Sequence, residues 1–145
     1  MKKLLLTAGF MLAAVALHAQ TITQEQLQGK WRLVTYNDNN GSIDIVKGTW
    51  KVNDDVQNKV SIEEQYNDIV LQAQEAVLTI KGNTASQTVM GEEHSGSFTL
   101  QDKDGKTYMT VDQDTTTVPQ VFIKDNALHL ADAGVGMEMI YKPIK

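Results

Sequence analysis

Cysteine is absent from this chain. Its absence excludes a disulfide framework, a thiolate metal site and an acylated lipoprotein cysteine. Cations are also short, with 13 Lys and Arg against 18 Asp and Glu and a formal charge of −5. Nucleic acids and anionic membrane surfaces reward clustered cations, so neither is expected as a partner. Histidine is limited to His18, His94 and His129. No serine sits in a Gly-x-Ser-x-Gly setting, so there is no nucleophile elbow. A nucleophile, a base and an orienting group cannot be assembled from what remains, and no enzymatic activity, metal or cofactor is expected. Asp38, Asn40, Ser42 and Asp44 alternate oxygen ligands, but Gly41 falls at the wrong place for a calcium loop and no Glu follows at the right distance. Asp112 and Asp114 read as surface carboxylates, and His94 as a turn residue beside Glu92 and Glu93.

Past the first twenty residues no apolar run is long enough to cross a bilayer, so the mature form is expected to have no integral membrane span. The N-terminus itself is different. Met1-Lys2-Lys3 precedes an apolar run from Leu4 to Leu17 and a small residue, Ala19. This is the pattern of a secretory signal peptide, residues 1–19, with cleavage after Ala19 or one residue later. The protein is therefore expected to be exported, to a periplasm or the exterior. Removing Lys2 and Lys3 leaves 11 basic against 18 acidic residues, a net charge near −7. The remainder is one domain by length, large enough to build a core without covalent staples.

Residues 20–28 form a polar lead-in with Ile22 and Leu27 as its large apolar members. The domain proper, 29–145, opens on Gly29-Lys30-Trp31-Arg32-Leu33-Val34-Thr35-Tyr36. Alternation there places Trp31, Leu33 and Thr35 on one face. Ile43 to Val52 reads as one further strand region, and its Gly48-Thr49-Trp50 echoes the opening motif by chance. Ile62, Tyr66, Ile69, Val70 and Ala73 then fall at helical spacings. Ser61 and Glu64 form a capping-box pattern, which predicts an amphipathic helix over 61–76, or from as early as Asp54. Leu71 is the exception on its polar face.

From Val77 onward the sequence is short alternating segments separated by turn residues, among them Gly82-Asn83, Asp102-Lys103-Asp104-Gly105 and Asp125-Asn126. About nine strand candidates result, a pattern that fits an antiparallel sandwich or a closed up-and-down barrel. In a barrel of about eight strands, parity turns Phe98, Leu100, Met109, Val111, Val121, Ile123, Met139 and Tyr141 inward, together with Leu33, Leu128 and Leu130.

Leu27 to Val34, the segment Gly96-Ser97-Phe98-Thr99-Leu100, and Val121 to Leu130 followed by Met139-Ile140-Tyr141-Lys142 together resemble the first, middle and closing strands of exported bacterial lipocalin-like (calycin-type) domains. The resemblance implies an antiparallel up-and-down β-barrel with the helix inserted after the early strands. It implies that Trp31 packs across the closed base of the barrel, with Lys142 the nearest substitute for the cation that covers this ring in the family. It also implies a non-enzymatic binding protein holding a small apolar or amphipathic molecule in its lumen. The eight inward residues Phe98 to Tyr141 would line that lumen. The alternative is a protein-interaction module with a solidly packed barrel.

Overall fold

The computed structural model describes residues 21–145, so the signal-peptide segment and its cleavage point lie outside the described residues. Two helices, α1 (Gln24–Leu27) and α2 (Lys59–Ala73), accompany ten strands. The strands are β1 (Gly29–Asp38), β2 (Gly41–Asp44), β3 (Thr49–Val52), β4 (Val77–Lys81), β5 (Thr84–Val89), β6 (Glu92–Lys103), β7 (Lys106–Val111), β8 (Gln120–Lys124), β9 (Ala127–Asp132) and β10 (Met137–Pro143). Strands β4 to β10 follow one another as an antiparallel meander, and β1 pairs with both β4 and β10, closing a ring of eight. Closure gives every strand of the ring two partners and removes the free edges that an open sheet would expose.

Two-residue turns make the meander possible. Met90-Gly91, Asp104-Gly105 and Asp125-Asn126 each place two successive residues at positive φ. That backbone matches the right-handed twist of the flanking strands.

The ring is built unevenly at β1. Its first half, Gly29 to Arg32, pairs with β4, whereas its second half, Thr35 to Asp38, pairs with β2. Leu33 and Val34 bridge the change, donating to Ala76 O and accepting from Ile45 N respectively. The same point carries a β-bulge against β10. The extra residue reverses the parity, so that Tyr36 rather than Thr35 follows Leu33 into the interior. The expected Ile43–Val52 strand is in fact the hairpin β2–β3, because Asp44 turns the chain by accepting from Lys47 N.

Helix α2 buries Tyr66, Val70 and Ala73 and leaves Glu63, Glu64, Asn67 and Asp68 outside, as the helical spacing predicts. Leu71 is exposed, at 67 %. The helix starts at Lys59, between the two expected starts, Asp54 and Ser61. Asn58, at φ 63°, supplies its carbonyl to Ser61 N and Ile62 N, so Ser61 lies inside the helix and caps nothing. Asp38 Oδ1 accepts from Asn40 N, Gly41 N and the Tyr66 hydroxyl. One carboxylate thereby fixes the β1–β2 turn and moors α2 to it. The alternating oxygens of this segment are accounted for as turn chemistry.

Candidate functional site: the barrel interior

The interior is built from alternate residues of every ring strand. At the end where β1 begins, Ile22 and Leu27 fold under the barrel and are buried. Ile22 N donates to Thr107 Oγ1, which in turn donates to Asp102 Oδ1. Trp31 is 6 % exposed, and its Nε1 donates to Leu27 O at 2.8 Å. The ring is held from the lead-in, not by a cation. Lys142 pairs in register with Arg32, on the opposite face of the sheet from Trp31 and Tyr141, so the expected cover from Lys142 is not formed. A buried indole satisfied by a local carbonyl needs no cation above it.

Above this floor, Phe98, Val121 and Leu128 are buried and fill the cross-section. Leu100 and Ile123 pack on the same cluster from the sides. The remaining four candidates, Met109, Val111, Met139 and Tyr141, line a cavity of about 280 Å³. Leu78 and Ile80 of β4, Ala85 of β5 and Leu130 of β9 complete its apolar wall, and Gln87, His94 and Asp112 form a polar rim. The eight predicted residues therefore divide into four that fill the barrel and four that border empty space.

Leu78 and Ile80 carry the same alternation signal as the residues singled out from sequence. Gln87, His94 and Asp112 had no such signal. His94 lies within β6, paired in register with Gln87, rather than in a turn. It points to the same side as Gly96 and Phe98. Asp112 is exposed, as expected of a surface carboxylate, but it is tied to β6. Its N–H donates to Ser97 O at 2.7 Å, and its Oδ1 accepts from Ser97 N at 2.9 Å. The chain turns there through positive φ at Asp112 (51°) and Gln113 (60°), which bends the carboxylate back over Gly96. A Cβ at Gly96 would stand 2.4 Å from Asp112 Oδ2, so only glycine leaves room for this arrangement.

Tyr141 reaches into the cavity wall. Its hydroxyl donates to Met139 Sδ at 3.6 Å. Burial pushes the phenol up to about 12, with the Gln87 side chain opposing the shift. Burial first, and then the Asp38 carboxylate, also raise Tyr66 and Tyr36 above their ordinary value. A group that keeps its proton in the folded state stabilises the fold fully below its unfolded pKa near 10. That contribution is lost as pH rises from 10 towards the folded value. We therefore expect the tyrosine contribution to the urea-unfolding free energy to be constant up to about pH 10. Between pH 10 and 12 the Tyr141 part of it should fall by about 1.4 kcal/mol per pH unit. Replacing Tyr141 by Phe should flatten this slope; an unchanged slope would count against the assignment.

His129 lies on the outside of the barrel. Its Nδ1 is 2.8 Å from Glu138 Oε1, Asn37 Nδ2 donates to Glu138 Oε2, and its ring stacks on Phe122 with centroids 4.6 Å apart. His94 and His129 therefore occupy opposite faces of the sheet and do not converge. Among the described residues, no group of three or more His, Asp or Glu is placed to hold a metal ion. Among the same residues, no helix is long and apolar enough to cross a membrane.

No family model matches the chain, and no curated protein sequence matches it. Among solved structures it is similar to a DUF4847 family protein from Bacteroides vulgatus ATCC 8482, with 12 % identity and a TM-score of 0.48. The alignment covers 79 % of this chain and 92 % of that chain.

Proposed function

We propose that this chain is an exported, non-enzymatic, lipocalin-like protein that holds a small apolar or amphipathic molecule in one end of its barrel. The observation that carries this reading is the cavity of about 280 Å³ behind Leu78, Met109, Val111, Leu130, Met139 and Tyr141. Apolar walls with a few polar groups at the rim are the usual composition of a small-molecule site. The size sits near the lower end for such pockets, because Phe98, Val121 and Leu128 already occupy the rest of the interior. The occupant is accordingly small, a short chain or a compact aromatic molecule. Export rests on the Lys2-Lys3 and Leu4–Leu17 pattern.

The test uses N-phenyl-1-naphthylamine, an uncharged probe whose fluorescence rises in apolar surroundings. We expect saturable enhancement with the wild-type protein. Ala85→Phe places a ring inside the cavity and is expected to reduce probe affinity at least tenfold, with thermal stability unchanged or raised, since filling an existing void adds contacts. Equal probe binding by both proteins would mean that the probe sits elsewhere and that the barrel is not the site.

A second reading, a protein-interaction module, is favoured by one observation. Trp50 of β3 and Val60 of α2 stand exposed in the same groove, beside Glu63, Glu64 and Asp68. On that reading Ala85→Phe would leave function intact and Trp50→Ser would remove it.

A further inference from the structure

The cavity rim is chemically one-sided. It contains one carboxylate, Asp112, and no Lys or Arg among the residues that line it. Glu92 and Glu93 precede His94 on the same strand, and Glu92 Oε2 lies 4.0 Å from His94 Nε2. An anionic head group at this mouth would meet like charge with no Lys or Arg to receive it. A cationic head group would meet a carboxylate already fixed in place.

The fixing is structural. Asp112 is held by two bonds to Ser97, one from its own N–H and one to its Oδ1. Gly96 supplies the space beneath it. Oδ2 accepts no hydrogen bond among the described residues, so one oxygen is committed to the fold and the other is left free at the edge of an apolar chamber. Fixing a charged group before the ligand arrives lowers the ordering cost of binding. The backbone that achieves this is uncommon, since Asp112 and Gln113 both sit at positive φ, a region where Asp is better tolerated than most residues.

Resting on the lumen-binding reading above, we infer that the cavity selects a small amphipathic amine, with its ammonium group on Asp112 Oδ2 and its apolar chain among Leu78, Met109, Val111 and Met139. Because Asp112 is exposed, the electrostatic part of the selection is modest. An exposed ion pair contributes up to about 1 kcal/mol, equivalent to about fivefold in affinity.

The experiment compares hexylamine, hexanol and hexanoate as competitors of N-phenyl-1-naphthylamine at pH 7.5 and low salt, with the full mature chain. Hexylamine is expected to compete about fivefold better than hexanol, and hexanoate worst of the three. Asp112→Asn keeps an acceptor for Ser97 N and a residue type that tolerates positive φ, so the turn is retained. It is expected to bring hexylamine down to the level of hexanol. Hexanoate competing as well as hexylamine, or an amine preference that survives in Asp112→Asn, would overturn the head-group assignment while leaving the lumen reading intact. Failure of the probe and all three compounds to bind the wild-type protein would overturn both.

Discussion

Replacing Trp31 by alanine is expected to cost about 3–5 kcal/mol of folding stability, as measured by urea denaturation. Three features of the residue set this cost. The indole is almost wholly withdrawn from water. Its one polar atom already has a partner in Leu27 O, so no desolvation penalty offsets the burial. The void left by truncation is bounded by paired strands that cannot easily collapse into it. Against a typical total of 5–15 kcal/mol, this loss would leave a marginal protein. Trp31→Phe separates the contributions. It restores most of the apolar volume and removes the bond to Leu27 O, so it should recover more than half of the loss. A Trp31→Ala change within experimental error would show that the floor is held by Ile22 and Leu27 without the ring.

A second large effect is expected at Tyr66, where alanine should again cost about 3–5 kcal/mol and phenylalanine about 1.5–3 kcal/mol. The ring is buried at 1 % exposure between α2 and the β2–β3 hairpin, and its hydroxyl bonds to the Asp38 carboxylate. Removing the ring takes away the centre of the helix's buried stripe. Removing only the hydroxyl takes one donor from a carboxylate that still receives Asn40 N and Gly41 N. The signatures therefore differ. Tyr66→Ala should release α2, seen as faster amide exchange across Lys59–Ala73, whereas Tyr66→Phe should lower stability with the helix still protected. Equal losses in the two variants would mean that the hydrogen bond, and not the packing, moors the helix.

The parts of the fold that sequence reveals are those governed by alternation and turn chemistry. Phe98 to Tyr141 could be placed inside because a strand's side chains have a period of two, and Asp104-Gly105 and Asp125-Asn126 could be placed at turns because they suit positive φ. What alternation cannot show is a break in its own register. The bulge after Leu33 moves Tyr36 inward and Thr35 outward, and no residue type there marks it. The hairpin β2–β3 was hidden for a similar reason, since Ile43, Ile45, Val46 and Val52 read as one apolar segment until Asp44 is seen to bond with Lys47 N.

The candidate site was legible only in its walls. Its volume depends on which of the inward residues touch one another across the ring, and that is long-range packing. Its rim depends on Asp112, whose significance comes from Ser97 and Gly96, fifteen and sixteen residues earlier on a neighbouring strand. An isolated Asp at a strand end carries no mark of such a partnership.

The uneven pairing of β1 has a consequence for how the ring is made. Strands β4 to β10 are joined by short connections, so each pair forms from segments close in sequence and can form quickly. Strand β1 must close the circle against β10, joining Trp31 with Pro143 and Asn37 with Glu138. Those pairs have the longest loops in the molecule, and their closure entropy is met last. Until residues 137–143 are available, β1 has no partner on one side and β9 none on one of its own. A chain supplied from its N-terminus thus remains an open, sticky sheet until residues 137–143 arrive, and those residues decide when it becomes a barrel.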